Sequence, residues 1–464
     1  MQVNAQNEVD ALRYSRLILD GTSRFMATGG AFGAVGADFS ALGINPAGIG
    51  IYKKSELTFT PSIYMGGVKS DYNGKSGSDT RTNFNLGNAG WVFTFNTGND
   101  SDKPQWKNVN FGFGFNKYNN FNNRITIQGP GNGTSLLQDY ANMADGNLPK
   151  DLSNYTTGLA FDTWLIDTIS GNPTHYNAAF APGRDVMQEK TIESSGAINE
   201  MVISFGGNYS DKLYLGGTFG IPYVKYHETS SYTESDTAAA TNIKSFTIND
   251  DIATSGTGFN FKFGMIYRIT DWVRFGLAVH TPTLFNLHDA YTRHIDSHFD
   301  NGNSYNEDAP KGTFDYDVTT PMRAIGSIAF LIKKTGFISA DYEYVDYSEA
   351  SLDSKNYKFY NENLAAQAKY TAAGNLRVGT EWNLYPIILR GGYALYGSPY
   401  KSGINDGKRQ SFSAGIGLRE DKYFLDISYV YSIMSEDYYL YSSAKSASND
   451  FAAHTLLFTF GIKY

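Results

Sequence analysis

Residues 423–432 read YFLDISYVYS, and the parity of that run decides what kind of molecule this chain is. Tyr423, Leu425, Ile427, Tyr429 and Tyr431 fall on one face of an extended chain; Asp426, Ser428 and Ser432 fall on the other. A period of two marks a strand, because successive side chains point to opposite faces. FNFKFGMIYR at 259–268 repeats it, setting Phe259, Phe261, Phe263, Met265 and Tyr267 against Asn260, Lys262, Gly264 and Arg268. NLRVGTEWN at 375–383 and SFSAGIGLR at 411–419 do the same. A soluble sandwich also alternates, with its apolar face turned to a core. The decision therefore falls to the links between strands.

About fourteen alternating segments can be marked, near 57–64, 90–96, 109–118, 201–209, 213–227, 258–269, 273–284, 317–331, 335–347, 375–384, 387–396, 410–419, 423–433 and 454–464. The links alternate in length. SDK at 210–212, TDW at 270–272, KKTG at 333–336, NLYP at 383–386 and EDK at 420–422 are tight turns. The links between them are long and rich in Asn, Asp and Ser, the longest from about 119 to 198. An even strand count with short turns at one end and long loops at the other predicts an all-β fold, a transmembrane antiparallel β-barrel. The final strand, HTLLFTFGIKY, alternates in the same way and ends on Tyr464, an aromatic suited to an interfacial girdle.

Composition agrees. The chain of 464 residues carries 48 Gly, 34 Tyr and 31 Phe but only 18% charged residues, against about a quarter in soluble chains. No apolar run approaches the roughly 18 residues of a membrane helix. A net charge of -8 and the lack of a basic stripe exclude a nucleic-acid partner. Cysteine is absent, which fits passage through an oxidising compartment. Val3-Asn4-Ala5 has the small-residue look of a signal cleavage step.

About fifty residues precede the first strand. VDALRYSRLIL at 9–19 places apolar residues near helical spacing, and GGAFGAVGADFSALGINPAGIG follows at 29–50. The glycines match neither a dinucleotide fingerprint nor a P-loop, and Pro46 stands where either would need a helix. Small residues suit a segment folded back inside a lumen, where backbones approach closely and turns need positive φ. Pro46 fixes one such turn and biases Asn45 away from helix. Residues 1–55 thus read as an N-terminal hatch, with a possible signal remnant, and 56–464 as the barrel with long extracellular loops.

The stretch GGAFGAVGADFSALGINPAGIGIYKKSELTFTPSIY at 29–64 resembles the N-terminal region of the FadL/TodX-type outer-membrane channels for hydrophobic compounds. Gly30, Gly33, Asp38 and the Asn45-Pro46-Ala47 step carry the likeness, with Pro61 in the first strand; HTPT at 280–283 adds to it. The resemblance implies a fourteen-strand barrel in the outer membrane of a Gram-negative bacterium, a hatch, and a lateral opening where the third strand kinks. Mapped here, that strand is VNFGFGFNKYNNF, in which Gly112 and Gly114 would permit a bend; the alternative is that they only relieve crowding.

The expected activity is passive uptake of hydrophobic small molecules, long-chain fatty acids or aromatic compounds, which leave sideways among outer-membrane lipids. The alternative is a FadL-like subunit of a large outer-membrane assembly or secretion complex. Leu136, Leu137, Phe161 and Trp164 in the longest loop are candidates for an apolar collecting surface, or they pack that loop as a lid. Arg274, Arg323, Arg377 and Arg390 are lumen-facing candidates for an anionic head group, or they pair with Asp341, Glu343, Glu381 and Asp426. HDAYTRHIDSHFD at 288–300 gathers His288, His294 and His298 with three aspartates but lacks a metal-ligand spacing. No catalytic motif is present, so no enzyme activity, metal or other cofactor is expected.

Overall fold

Phe261 and Phe263 are 43% and 60% exposed, whereas Lys262 between them is 4% exposed. That inversion of the soluble pattern recurs around the wall, because the outer face meets acyl chains and the inner face encloses polar groups. The computed structural model describes residues 6–97, 105–236, 242–333 and 335–464. The Val3-Asn4-Ala5 step and Lys334 of the 333–336 turn lie outside the described residues.

Fourteen antiparallel strands form the wall: β1 (Glu56–Tyr72), β2 (Lys75–Asn96), β3 (Trp106–Asn120), β4 (Val186–Tyr209), β5 (Leu213–Asp236) and β6 (Ile243–Arg268). β7 runs in two pieces, Val273–His280 and Leu284–Phe299, as does β8, Gly312–Thr319 and Arg323–Ile332. β9 (Gly336–Asp346), β10 (Ala372–Leu384), β11 (Ile387–Tyr396), β12 (Arg409–Arg419), β13 (Tyr423–Tyr439) and β14 (Ser446–Lys463) complete it. β14 returns to β1, from Glu56 opposite Lys463 to Asp71 opposite Ser448, and the barrel closes.

β4, β5 and β6 are 24, 24 and 26 residues long, more than twice the roughly ten that cross a bilayer. Their outer halves stand beyond the apolar band and stay paired, β5 with β6 as far as Ser235 opposite Ser245. Much of what reads as loop in sequence is therefore strand. The segment 288–300 is strand through Phe299 and pairs with β6 as far as that residue. Above the bilayer a strand needs no apolar outer face, so its alternation fades while its ladder persists.

The extended end is filled by residues 131–185, with helices α1 (Leu136–Ala144) and α2 (Thr157–Asp162) and a hairpin of Ile166–Ile169 with Asn172–Ala178. Leu137, Leu159, Leu165 and Ile166 pack there against Phe246, Ile248 and Ile295 of the wall. Glu234 of β5 accepts hydrogen bonds from the Leu136 backbone at 2.9 Å, Tyr232 at 2.5 Å and Gln188 at 3.1 Å, anchoring the start of α1. Among the described residues no helix is long and apolar enough to cross a membrane.

Candidate functional site

Residues 6–52 lie inside the barrel, and each short-range motif of the sequence acts there as a turn. Asp38 caps the 3-10 turn Phe39–Gly43 through the Ser40 amide at 3.0 Å and accepts the Thr22 hydroxyl at 2.7 Å. Burial pushes the Asp38 carboxyl up, and Arg24 and Thr22 oppose the shift. Asn45 caps the next turn, Pro46–Ile51, accepting from the Ala47 amide at 3.1 Å and donating to the Gly33 carbonyl at 2.6 Å. Pro46 occupies the first position of that turn, where its missing N–H costs nothing. Gly30 has φ +76°, a conformation L side chains rarely adopt, and a Cβ on Gly33 would overlap Ser327 of the wall.

The lumen charges grip this segment and one another. Arg24 forks onto Glu381, Nε to Oε2 at 2.7 Å and Nη2 to Oε1 at 2.9 Å, and reaches the Ala37 carbonyl at 2.9 Å. Arg390 bridges Glu381 at 2.7 Å and Asp426 at 2.8 Å. Arg323 and Arg377 share Glu343, at 2.6 and 2.7 Å, and Arg323 also donates to the Ser15 carbonyl at 2.5 Å. Asp341 accepts the Gly33 amide at 3.0 Å. Arg274 donates to the Val35 carbonyl at 3.1 Å. Arg323, Arg377 and Arg390 thus already hold carboxylates of the chain itself.

A cavity of about 350 Å³ lies between the N-terminal segment and the inner wall of β1, β12, β13 and β14. It adjoins a break in the wall. The β2–β3 ladder runs from Asn96 opposite Asn108 to Asn88 opposite Asn116 and stops. At Lys117–Asn119 the register of β3 against β4 also shifts. The next stretch, Asn123–Pro130, pairs with β4, while side chains tie it to β2: Arg81 to the Asn123 carbonyl at 3.4 Å and Arg124 to Asp79 at 3.5 Å. Gly112 and Gly114 sit within the paired part, laddered to both neighbours, two residues and more before the break. Their bare backbone faces Ile49, Leu42 and the Phe39 ring instead.

The N-terminal segment covers the inner side of the break. Ile18 donates to Asn119 at 2.8 Å, Asn119 donates to the Arg16 carbonyl at 2.6 Å, and the Asp20 amide donates to the Lys117 carbonyl at 3.0 Å. A second interruption, at Pro282 of β7 and Pro321 of β8, is bridged: Thr283 donates to the Thr320 hydroxyl at 2.9 Å and Thr320 to the Thr283 carbonyl at 3.0 Å. His280 beside it touches the Ile44 carbonyl at 2.8 Å.

The loop candidates divide. Leu137 is fully buried, Leu136 and Phe161 are half-buried against the same cluster, and Trp164 is 53% exposed. The histidines of 288–300 bond to separate partners, His288 to Asp315 at 2.7 Å, His294 to Asp308 at 2.7 Å and His298 to Ser304 at 2.8 Å. Among the described residues no group of three ligating side chains gathers. Sequence reading missed Arg16 and Arg409, which line the cavity, and Lys117 and Asn119 at the break. Arg409 was reachable by parity, since it shares the inward face of Ser411, Ser413 and Gly415.

No protein-family model and no curated protein matches the sequence. Solved structures do match. The Pseudomonas putida toluene transporter TodX is 11% identical, with 96% of this chain and 99% of that one covered and a TM-score of 0.55. A Pseudomonas aeruginosa FadL homologue is 13% identical, covering 97% and 99%, with a TM-score of 0.54. The monoaromatic hydrocarbon channel CymD is 10% identical, covering 96% and 98%, with a TM-score of 0.51. In fold, a closed fourteen-strand barrel with its N-terminal residues folded inside, this chain is similar to the FadL/TodX-type channels.

Proposed function

We propose that the chain is a passive channel of a Gram-negative outer membrane that takes up hydrophobic small molecules and releases them sideways into the bilayer. The observation that carries this reading is the adjacency of the cavity to the unladdered stretch between β2 and β3. The solute enters from the loop end, lodges against the apolar lining, and leaves through that stretch once Arg16–Asp20 shift. Transfer of apolar surface from water, worth about 25 cal/mol per Å², drives the passage without an energy source. Gly30, Gly33, Asp38, Asn45, Pro46 and Ala47 shape the hatch in this scheme, and the apolar residues of 131–185 form its outer cover. Solved structures of similar fold include a toluene transporter and a monoaromatic hydrocarbon channel, which supports transport over catalysis.

The chain has no cysteine, so Asn85→Cys with Lys117→Cys introduces a single thiol pair across the break. These two side chains touch in the present structure. Bridging the introduced thiols with a short bismaleimide is expected to abolish uptake of labelled fatty acid or toluene by cells lacking their own channel, while either single variant treated alike still transports. Undiminished uptake in the bridged protein would remove the lateral route. Failure to transport at all, with a large protein recovered in stoichiometric amount in mild detergent, would instead favour the assembly-subunit reading.

A further inference from the structure

Resting on the membrane placement in the reading above, we infer that the outer face of β4–β7 carries a groove for the saccharide head of a glycolipid in the outer leaflet. A cavity of about 640 Å³ opens there, away from the lumen. Its floor is two rows of side chains across four strands. Thr191 of β4, Ser231 of β5, Asn249 of β6 and His294 of β7 stand side by side, with Asp308 of the short strand Ser304–Asp308 at the end. Glu193, Thr229, Asp251 and Thr292 form the second row. The chain neighbours Ile192, Tyr232, Ile248 and Ile295 are buried on the inner face, so parity turns both rows outward.

The groove combines held acids with free hydrogen-bonding groups. One oxygen of each carboxylate is engaged: Glu193 Oε1 by Arg81 at 2.7 Å, Asp251 Oδ2 by His227 at 2.9 Å and Asp308 Oδ1 by His294 at 2.7 Å. Each keeps its second oxygen for a further donor. Between them, among the described residues, Thr229, Ser231, Asn249 and Thr292 make no side-chain hydrogen bond. Ala309 is the one apolar residue of the described lining, so an acyl chain gains nothing there. The acids already hold their cations, which disfavours a metal or a polyamine, and their density repels a bare phosphate. Sugar hydroxyls, each both donor and acceptor, match this alternation of free hydroxyls, amide and half-engaged carboxylates. Height selects the source. Asp251 stands eight residues before Phe259, Glu193 eight before Met201 and Thr292 eight after Leu284, the last large outward apolar residues of their strands. At about 3.3 Å per residue and a tilt of about 40°, the groove lies about 20 Å above the acyl region. A lipid whose chains lie against the exposed Phe259, Phe261 and Phe263 reaches it with a head of several sugars.

The test uses the full chain in maltoside micelles, incubated with a lipooligosaccharide, with the same lipid stripped of its core sugars to lipid A, and with the released soluble core oligosaccharide. Native mass spectrometry then reads the bound fraction of each. The lipooligosaccharide is expected to be held about tenfold more tightly than lipid A, the scale of two net hydrogen bonds, and well above the soluble oligosaccharide. Thr229→Val with Asn249→Ala should bring the two lipids to near parity, while uptake of labelled fatty acid or toluene is unchanged. Retention of the heat-dependent gel shift shows that the variant is folded, and the wild-type comparison decides the matter even if it is not. Equal retention of the two lipids in the wild type overturns the inference. So does an undiminished preference in the folded variant, or a soluble oligosaccharide held as tightly as the glycolipid. Any of these leaves the channel standing. Failure of both lipids to bind, together with failure of uptake, would remove the membrane placement as well.

Discussion

Asp10 shows how a single buried acid can set the strength of a docked segment. It lies in the helix Glu8–Ser15 at the start of the N-terminal segment, where its carboxylate accepts the Asn7 amide at 3.2 Å and pairs with Arg13. Burial nevertheless pushes its pKa from 3.8 to about 6, with Asp289 and Glu228 adding to the shift and Arg13 opposing it. A carboxyl raised on folding contributes stability that is complete below its unfolded pKa and lost as pH rises through its folded one. Hydrogen-exchange protection of residues 8–15, corrected for intrinsic rates, should therefore fall as pH passes through about 6. Asp10→Asn should flatten that part of the profile; an identical slope in the variant would assign the effect to another group.

The glycines of β2 and β3 are best understood at the level of the element. A Cβ on Gly90 or Gly114 would strike the Phe39 ring, and one on Gly112 would press on Ile49 at 3.0 Å. The strands are thus sockets for the N-terminal segment, and Phe39, 1% exposed, fills one of them. Gly90→Leu should lower stability by about 1–3 kcal/mol through overpacking, read as a lower thermal midpoint, with the barrel retained. Adding Phe39→Ala should recover part of the loss, because the two side chains compete for one space. A double variant no more stable than the single one would show that Gly90 serves strand pairing alone. The position of the break was hidden from sequence for a related reason. Nothing in Asn116-Lys117-Tyr118-Asn119 breaks strand propensity, and the ladder ends there because Asn119 and Lys117 bond to residues about a hundred positions earlier.

Across the whole molecule, two unrelated stretches close the conduit. Residues 131–185 cap the loop end by apolar packing, and residues 6–52 fill the lumen through ion pairs and backbone contacts to the wall. The fork of Arg24 on Glu381 is a bidentate tie, and Arg390 shares the same carboxylate. With Arg24 removed, Glu381 keeps its pairing with Arg390, so the loss falls on the N-terminal segment and leaves no bare buried charge. Arg24→Ala should loosen the N-terminal segment and raise single-channel conductance in planar bilayers without loss of strand content by circular dichroism. Unchanged conductance with unchanged exchange protection would show that the remaining contacts hold the segment alone.

The sequence by itself determined the architecture of the bilayer-spanning wall. A strand facing acyl chains on one side and a polar lumen on the other has no choice but to alternate, so strand number and the tight turns were legible from YFLDISYVYS and its repeats. The caps at Asp38 and Asn45 were legible as motifs, because a turn is a local matter. Only the tertiary structure decided which arginines are already neutralised and which are not. Arg377 and Arg409 look alike in sequence, both inward by parity; one meets Glu343 across a neighbouring strand at 2.7 Å and the other meets a cavity. Charge pairing across a barrel depends on the registers of strands far apart in the chain, and that information is not carried by the period of any one of them.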